Sequence, residues 1–264
     1  ETAIIETIDE RNEYCLYIGI PFCPTRCLYC SFTSYPIGVY KDKVDAYLDT
    51  MEKEMEYIAE SYTEKKLASI YIGGGTPSSI SAEQMDRLCS MIEKHFDLSQ
   101  VREYTIEAGR PDSTTADKLQ VMKAHGVDRI SINPQTMNGE TLKLIGRAHT
   151  PEQAEEAFMR AREAGFDNIN MDLIVGLPGE DAEMVKRTLE KVKKLAPESL
   201  TVHTLAIKRA AHLKQEMDKY SFAGDVDEQL SLVGQAAEEL GLAPYYLYRQ
   251  KNMEGNLENV GYAR

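Results

Sequence analysis

The sequence predicts an α/β fold, a partial (β/α)6 barrel of the TIM type with parallel strands, on two observations. Apolar segments of strand length alternate with amphipathic segments of helical period about six times along the 264 residues. Six such units are too few to close the usual eight-stranded barrel, so the sheet is expected to stay open. No low-complexity linker interrupts the alternation, which predicts a single domain over residues 1–264.

The first strand is expected over Cys15–Ile20, an apolar run that reads as buried. The helix after it carries Val44, Tyr47, Leu48, Met51, Met55 and Ile58 at spacings of three and four, one apolar face. A second strand, Leu67–Ile72, leads into a helix opened by the capping box Ser81-Ala82-Glu83-Gln84. That helix turns Met85, Leu88, Cys89 and Ile92 inward, which makes Cys89 a core residue. Strand three is Glu103–Ala108, and its helix runs through Leu119 and Met122 to a C′ glycine at Gly126. Strand four, Val127–Asn133, precedes a helix begun by Thr150-Pro151-Glu152-Gln153, with proline at the first helical position, and ended near Gly165. Strand five, Ile169–Val175, is stopped by Gly176-Leu177-Pro178-Gly179. A helix with Met184, Val185, Leu189 and Val192 leads to strand six, Ser199–Ile207. One more amphipathic helix, Val226–Leu240, precedes a seventh candidate strand, Tyr245–Tyr248. The aromatic, amide-rich tail over 245–262 reads as a binding loop more than a packed helix, with an ordinary surface loop as the alternative.

Composition narrows the partners. Hydrophobic residues at 42% and charged residues at 28% are ordinary for a globular protein. No run of eighteen apolar residues and no signal-peptide pattern occurs, so a cytoplasmic location without a membrane partner is expected. A formal net charge of −13 argues against a nucleic-acid partner, because phosphate contacts need clustered Lys and Arg. Lys208-Arg209 and Arg249-Gln250-Lys251 are local basic candidates for a small anionic substrate, with solvated surface charge as the alternative. Of the lone histidines, His95, His125 and His212 read as helix or surface residues, while His203 on strand six could face the barrel interior.

Five cysteines, three of them within eight residues, do not form a disulfide framework. Cys23, Cys27 and Cys30 follow the first strand in the pattern Cys-x3-Cys-x2-Cys. Thiolates at this density are metal ligands more than packing residues. Structural zinc ordinarily takes four protein ligands, often as two separated cysteine pairs, and there is no second pair; no histidine precedes His95 either. Three thiolates suit an iron–sulfur cluster with one iron left open, and an open position is what catalysis needs. Structural zinc and a chance grouping of thiols are the alternatives.

This spacing, with Tyr29 before the last cysteine, resembles the signature of the radical S-adenosylmethionine enzymes. The resemblance implies a [4Fe–4S] cluster on Cys23, Cys27 and Cys30 whose fourth iron is chelated by S-adenosylmethionine, with reductive cleavage giving a 5′-deoxyadenosyl radical. Gly73-Gly74-Gly75-Thr76-Pro77 after strand two is similar to the family's glycine-rich cofactor motif, with Thr76 where glutamate is common. That form, and the lead-in Tyr17-Ile18-Gly19-Ile20-Pro21-Phe22, resemble the oxygen-independent coproporphyrinogen III oxidase branch. The resemblance places Tyr17, Tyr29, Gly74, Gly75, Thr76, Glu107, Gln135, Arg147 and Asp172 at the S-adenosylmethionine site. A Glu107–Arg147 ion pair is the structural alternative for those two. Two positions depart from the best-known oxidases: Phe32 where they carry a further cysteine, and Gly19 where they carry a histidine. The implied partners are a tetrapyrrole substrate and an electron donor such as flavodoxin or ferredoxin. The implied role is oxidative decarboxylation in haem synthesis, with a haem carrier or a radical enzyme acting on another ring as alternatives. Relatives of this branch extend further at both ends, so an N-terminal region and a C-terminal substrate-covering domain are expected beyond this chain.

Overall fold

The computed structural model of the chain describes residues 9, 11–32, 34–206, 211–215, 217–222, 224–248 and 259–264. Its centre is a curled eight-stranded sheet. Strands β1 (Glu13–Ile20), β2 (Lys66–Gly74), β3 (Glu103–Gly109), β4 (Arg129–Gln135), β5 (Ile169–Val175) and β6 (Ser199–Thr204) lie side by side in chain order and run parallel. A parallel neighbour requires a crossover, and helices supply it: α1 (Val44–Ser61), α2 (Ala82–His95), α3 (Ala116–Ala124), then α4 (Gly139–Leu144) with α5 (Pro151–Glu163), and α6 (Ala182–Leu195). The last helix, α7 (Val226–Glu239), packs beside α6. The sheet is an open half-barrel, as its six βα units predict.

Helix and strand residues meet in one apolar core. Ile20, Ile72, Ile106, Ile130, Met171 and Val202 come from successive strands, and Leu48, Leu88, Leu119, Phe158, Leu189 and Val233 come from the helices. The expected helix starts form as the residue chemistry requires. Ser81 accepts from the Gln84 amide while the Gln84 side chain accepts from the Ser81 amide, and Thr150 and Gln153 do the same with Pro151 at the first turn. Cys89 is fully buried on α2, its thiol 3.5 Å from the Tyr104 hydroxyl.

Several expectations need correction. The first strand starts at Glu13 and is buried on one side only: Leu16, Ile18 and Ile20 point into the core, whereas Cys15 and Tyr17 are exposed. β1 is the edge of the sheet, so an apolar run there covers a single face. β4 lies two residues later than expected, because Val127 and Asp128 still belong to the loop after α3. β6 ends at Thr204. The six-residue helix α4 was not foreseen, being too short to show a period.

The tail differs most. β7 (Ala243–Tyr248) and β8 (Asn259–Ala263) are antiparallel partners, and β8 inserts between β7 and β6. The candidate strand Tyr245–Tyr248 forms within β7, whereas the loop reading fails at Asn259–Ala263; residues 249–258, with Arg249 and Lys251, lie outside the described residues, as do Lys208 and Arg209. Gly261 can pair because no side chain is needed there: a Cβ would come within 3.0 Å of the Tyr245 ring. Among the described residues no helix is long and apolar enough to cross a membrane.

Candidate functional site

The parallel strands all end on one side of the sheet, and a cavity of about 360 Å³ opens there. It is built first from the cysteine loop after β1. Phe22–Cys23 pairs in parallel with Tyr35–Pro36, which closes the loop at its base. The Leu28 amide donates to the Ile145 carbonyl at 3.0 Å, and the Leu28 carbonyl accepts from the Leu213 amide at 3.0 Å. The loop thus rests on the turn after α4. Gly146 is required in that turn, for its φ is +77° and a Cβ would stand 3.1 Å from the Arg26 carbonyl.

The glycine turn after β2 comes against the same loop. The Gly75 amide donates to the Ile20 carbonyl and the Thr76 amide to the Phe22 carbonyl, each at 2.8 Å. A Cβ on Gly75 would lie 2.8 Å from the Phe22 carbonyl oxygen and 2.9 Å from Cys23 Sγ. The thiol at Cys23 is therefore held against bare backbone. Thr76 Oγ1 is 3.5 Å from that sulfur. Burial pushes the Cys23 thiol up, opposed by the Thr76 hydroxyl, and burial pushes Cys30 up in the same way.

Opposite the thiols stand the polar strand ends. Glu107, at the end of β3, accepts from the Tyr71 hydroxyl at 2.5 Å. Burial pushes its carboxyl up to about 7; the Tyr71 hydrogen bond opposes this, while the charge of Asp172 adds to it. The Tyr71 ring stacks on Tyr17 at 6.0 Å between centroids, tying the exposed edge-strand tyrosine to the same wall. Asp172 accepts from Asn170 Nδ2 at 2.6 Å and lies 4.0 Å from His203 Nε2, so His203 does face the interior. Arg147 is buried; it donates to the Asn133 carbonyl at 3.2 Å and to the Tyr29 hydroxyl at 3.1 Å. Among the described hydrogen bonds Arg147 does not meet Glu107, so the expected alternative, a direct pair between them, is not formed. His95 closes α2, His125 sits at the end of α3 between Asp86 and Glu93, and His212 is exposed.

The twelve residues that the resemblance places at the cluster and S-adenosylmethionine all line this one cavity: Cys23, Cys27 and Cys30 with Tyr17, Tyr29, Gly74, Gly75, Thr76, Glu107, Gln135, Arg147 and Asp172. Sequence reasoning missed Thr25, Arg110 and Asn133, which line it too. Arg110 directly follows the end of β3, so the strand-end rule that selected Glu107 would have reached it.

The lining fits a polar, metal-bearing group. Gln135 has φ +69°, a costly conformation for a residue with a side chain, and its buried Oε1 has no hydrogen-bond partner among the described residues. Arg147 Nε is buried and unpartnered in the same way. Both orphans sit in the cavity wall, where a polar ligand would satisfy them. Among the described residues no three His, Cys, Asp or Glu side chains converge on one metal ion. A cluster asks for another arrangement, one thiolate at each of several irons.

Comparison with known proteins agrees with this geometry. The chain belongs to the Radical SAM superfamily, whose profile matches residues 17–192. Enzymes of this superfamily use a [4Fe–4S] cluster and S-adenosylmethionine, the cofactors expected from the cysteine loop. The oxygen-independent coproporphyrinogen-III oxidase-like protein HemZ of Bacillus subtilis is 48% identical over 258 residues, 96% of this chain and 52% of that protein. The heme chaperone HemW of Lactococcus lactis is 39% identical over 191 residues, 72% of this chain and 48% of that protein. In three dimensions, coproporphyrinogen III oxidase HemN from Escherichia coli superposes with a TM-score of 0.79 at 26% identity, covering 100% of this chain and 59% of that one. The chain spans about half the length of the curated relatives it matches.

Proposed function

We propose that this chain is the catalytic core of a radical S-adenosylmethionine oxidoreductase that acts on a tetrapyrrole, by oxidative decarboxylation of propionate side chains as in coproporphyrinogen III oxidation. The observation that carries the reading is the convergence of the three thiols, the glycine turn and the ends of β3, β4 and β5 on one cavity. Cys23, Cys27 and Cys30 hold the cluster, and Gly74, Gly75, Thr76, Glu107, Gln135, Arg147 and Asp172, with Tyr17 and Tyr29, hold S-adenosylmethionine. Bound together, the two cofactors supply a hydrogen-abstracting radical.

The chain's own groups bind and orient. Glu107 and Asp172 present carboxylate oxygens to cationic or hydroxyl hydrogens, and Gln135 Oε1 offers the acceptor that is otherwise unsatisfied. Arg147, held by Asn133 and Tyr29, keeps a buried Nε that has no hydrogen-bond partner among the described residues. Tyr17 and Phe32 are exposed aromatic surfaces at the mouth, suited to a flat ring. Each propionate that becomes a vinyl group loses carbon dioxide, one hydrogen atom and one electron, the last to an acceptor. Flavodoxin or ferredoxin is the proposed electron donor to the cluster.

The haem chaperones among the relatives favour a second reading, a carrier that keeps the cluster and binds haem without decarboxylating anything. One anaerobic experiment separates the two. The chain is reconstituted with iron and sulfide and given S-adenosylmethionine, reductant and coproporphyrinogen III. Release of 5′-deoxyadenosine with vinyl-bearing product supports the oxidase. Intact S-adenosylmethionine together with stoichiometric haem binding supports the carrier and overturns the oxidase.

A further inference from the structure

Against the cysteine loop lies an ion pair, Arg110 with Asp112, whose arginine lines the cavity and has been given no role above. Arg110 is 3% exposed, and its guanidinium takes both oxygens of Asp112, Nε to Oδ1 and Nη2 to Oδ2, each at 2.9 Å. The third nitrogen, Nη1, donates to Thr25 Oγ1 at 2.6 Å. Thr25 sits midway between Cys23 and Cys27, and its hydroxyl donates onward to the Gly146 carbonyl at 3.0 Å. One end of Arg110 thus binds Asp112 and the other grips the loop. His149 Nδ1 lies 4.0 Å from Asp112 Oδ1.

We propose that Arg110 is a positioning residue for the metal loop, fastening Thr25 and holding the cationic end of the Arg110–Asp112 pair toward the thiolates, where it raises the reduction potential of the cluster. This rests on the ligand assignment of Cys23, Cys27 and Cys30 above. The physical reason is direct. A reduced cluster carries one more negative charge than an oxidised one, and a fixed cation in a buried wall stabilises that charge more than it would in water. Asp112 weakens the effect but does not cancel it, since Arg110 lines the cavity with the three thiols and Asp112 is not among its lining residues. Asp112 and Thr25 take one N–H each of Nε, Nη2 and Nη1, which ties Arg110 to the loop from within the cavity wall.

The test is spectroelectrochemical. The parent chain, Arg110→Gln, Arg110→Lys and Asp112→Asn are reconstituted anaerobically with iron and sulfide. Iron content, circular dichroism and the midpoint potential of the cluster without S-adenosylmethionine are then measured. The expected result has opposite signs: Arg110→Gln shifts the potential negative, Asp112→Asn shifts it positive, and Arg110→Lys stays near the parent. Potentials that agree across all four proteins overturn the proposal. So does a loss of iron that is equal in Arg110→Gln, Arg110→Lys and Asp112→Asn, which makes the pair a loop brace alone. A parent chain that takes up no cluster overturns the ligand assignment, and this inference with it.

Discussion

Burial pushes the Glu107 carboxyl up to about 7, so it is half-protonated at neutral pH, against the pull of the Tyr71 hydroxyl and the Gly74 amide. An unfolded glutamate ionises near 4.5. Between that value and 7 the folded chain binds the extra proton, so stability falls as pH rises, and the whole deficit is present above 7. It amounts to about 3 kcal/mol from the size of the shift. Glu107→Gln should therefore raise the thermal midpoint of the metal-free chain at pH 8 and change it little near pH 4.5, as followed by circular dichroism. Binding runs the other way. If Glu107 accepts from the cofactor's ammonium, S-adenosylmethionine should bind the reconstituted chain more tightly as pH rises through 7. Calorimetry of Glu107→Gln should then show weaker binding with that pH dependence gone. Tyr71→Phe removes a donor that holds the carboxyl down and should move the same binding transition to higher pH. Tyr71 was invisible as a site residue in the sequence, where it reads as one more aromatic in an apolar strand; only the sheet register brings it beside Glu107.

At the scale of elements, the glycine turn after β2 is packed too closely to admit a side chain at Gly75. Gly75→Ala places a methyl group against the Phe22 and Ile20 carbonyls and the Cys23 sulfur at 2.8–3.0 Å, and two of those three neighbours are backbone that cannot rotate away. The expected outcome is a folded chain, by far-ultraviolet circular dichroism, that retains much less iron after reconstitution than the parent. Thr150→Ala tests a different device. It removes the hydroxyl that caps α5 and should cost about 1 kcal/mol in urea denaturation, without altering iron content. These helix starts were legible because a capping box is a local pattern complete within four residues. The same locality explains Gly126 and Gly165, which adopt positive φ at the helix ends where they were expected. What stayed hidden depends on distant chain. Arg110 matters through Thr25, 85 residues away, and no spacing rule connects them.

For the molecule as a whole, the alternation of strand and helix was enough to order six parallel strands, since a crossover helix leaves few other ways to lay them. It could not order the last two. β8 carries two asparagine-and-glycine signals that read as loop, yet it pairs with β6 because the buried Asn259 side chain accepts from the Thr204 amide. That insertion makes β7 the outer edge of the sheet. Tyr246, Leu247 and Tyr248 are each nearly half exposed, and among the described residues no strand pairs with the outer side of β7. An apolar edge strand is a template for another chain. This chain should therefore self-associate as its concentration rises, through edge-to-edge pairing of β7. Leu247→Lys places a charge on that edge at a position whose side chain is not part of the core, so stability should change by less than about 0.5 kcal/mol. Sedimentation velocity over a concentration series should show the association weakened in Leu247→Lys. An unchanged series would locate the contact elsewhere on the molecule.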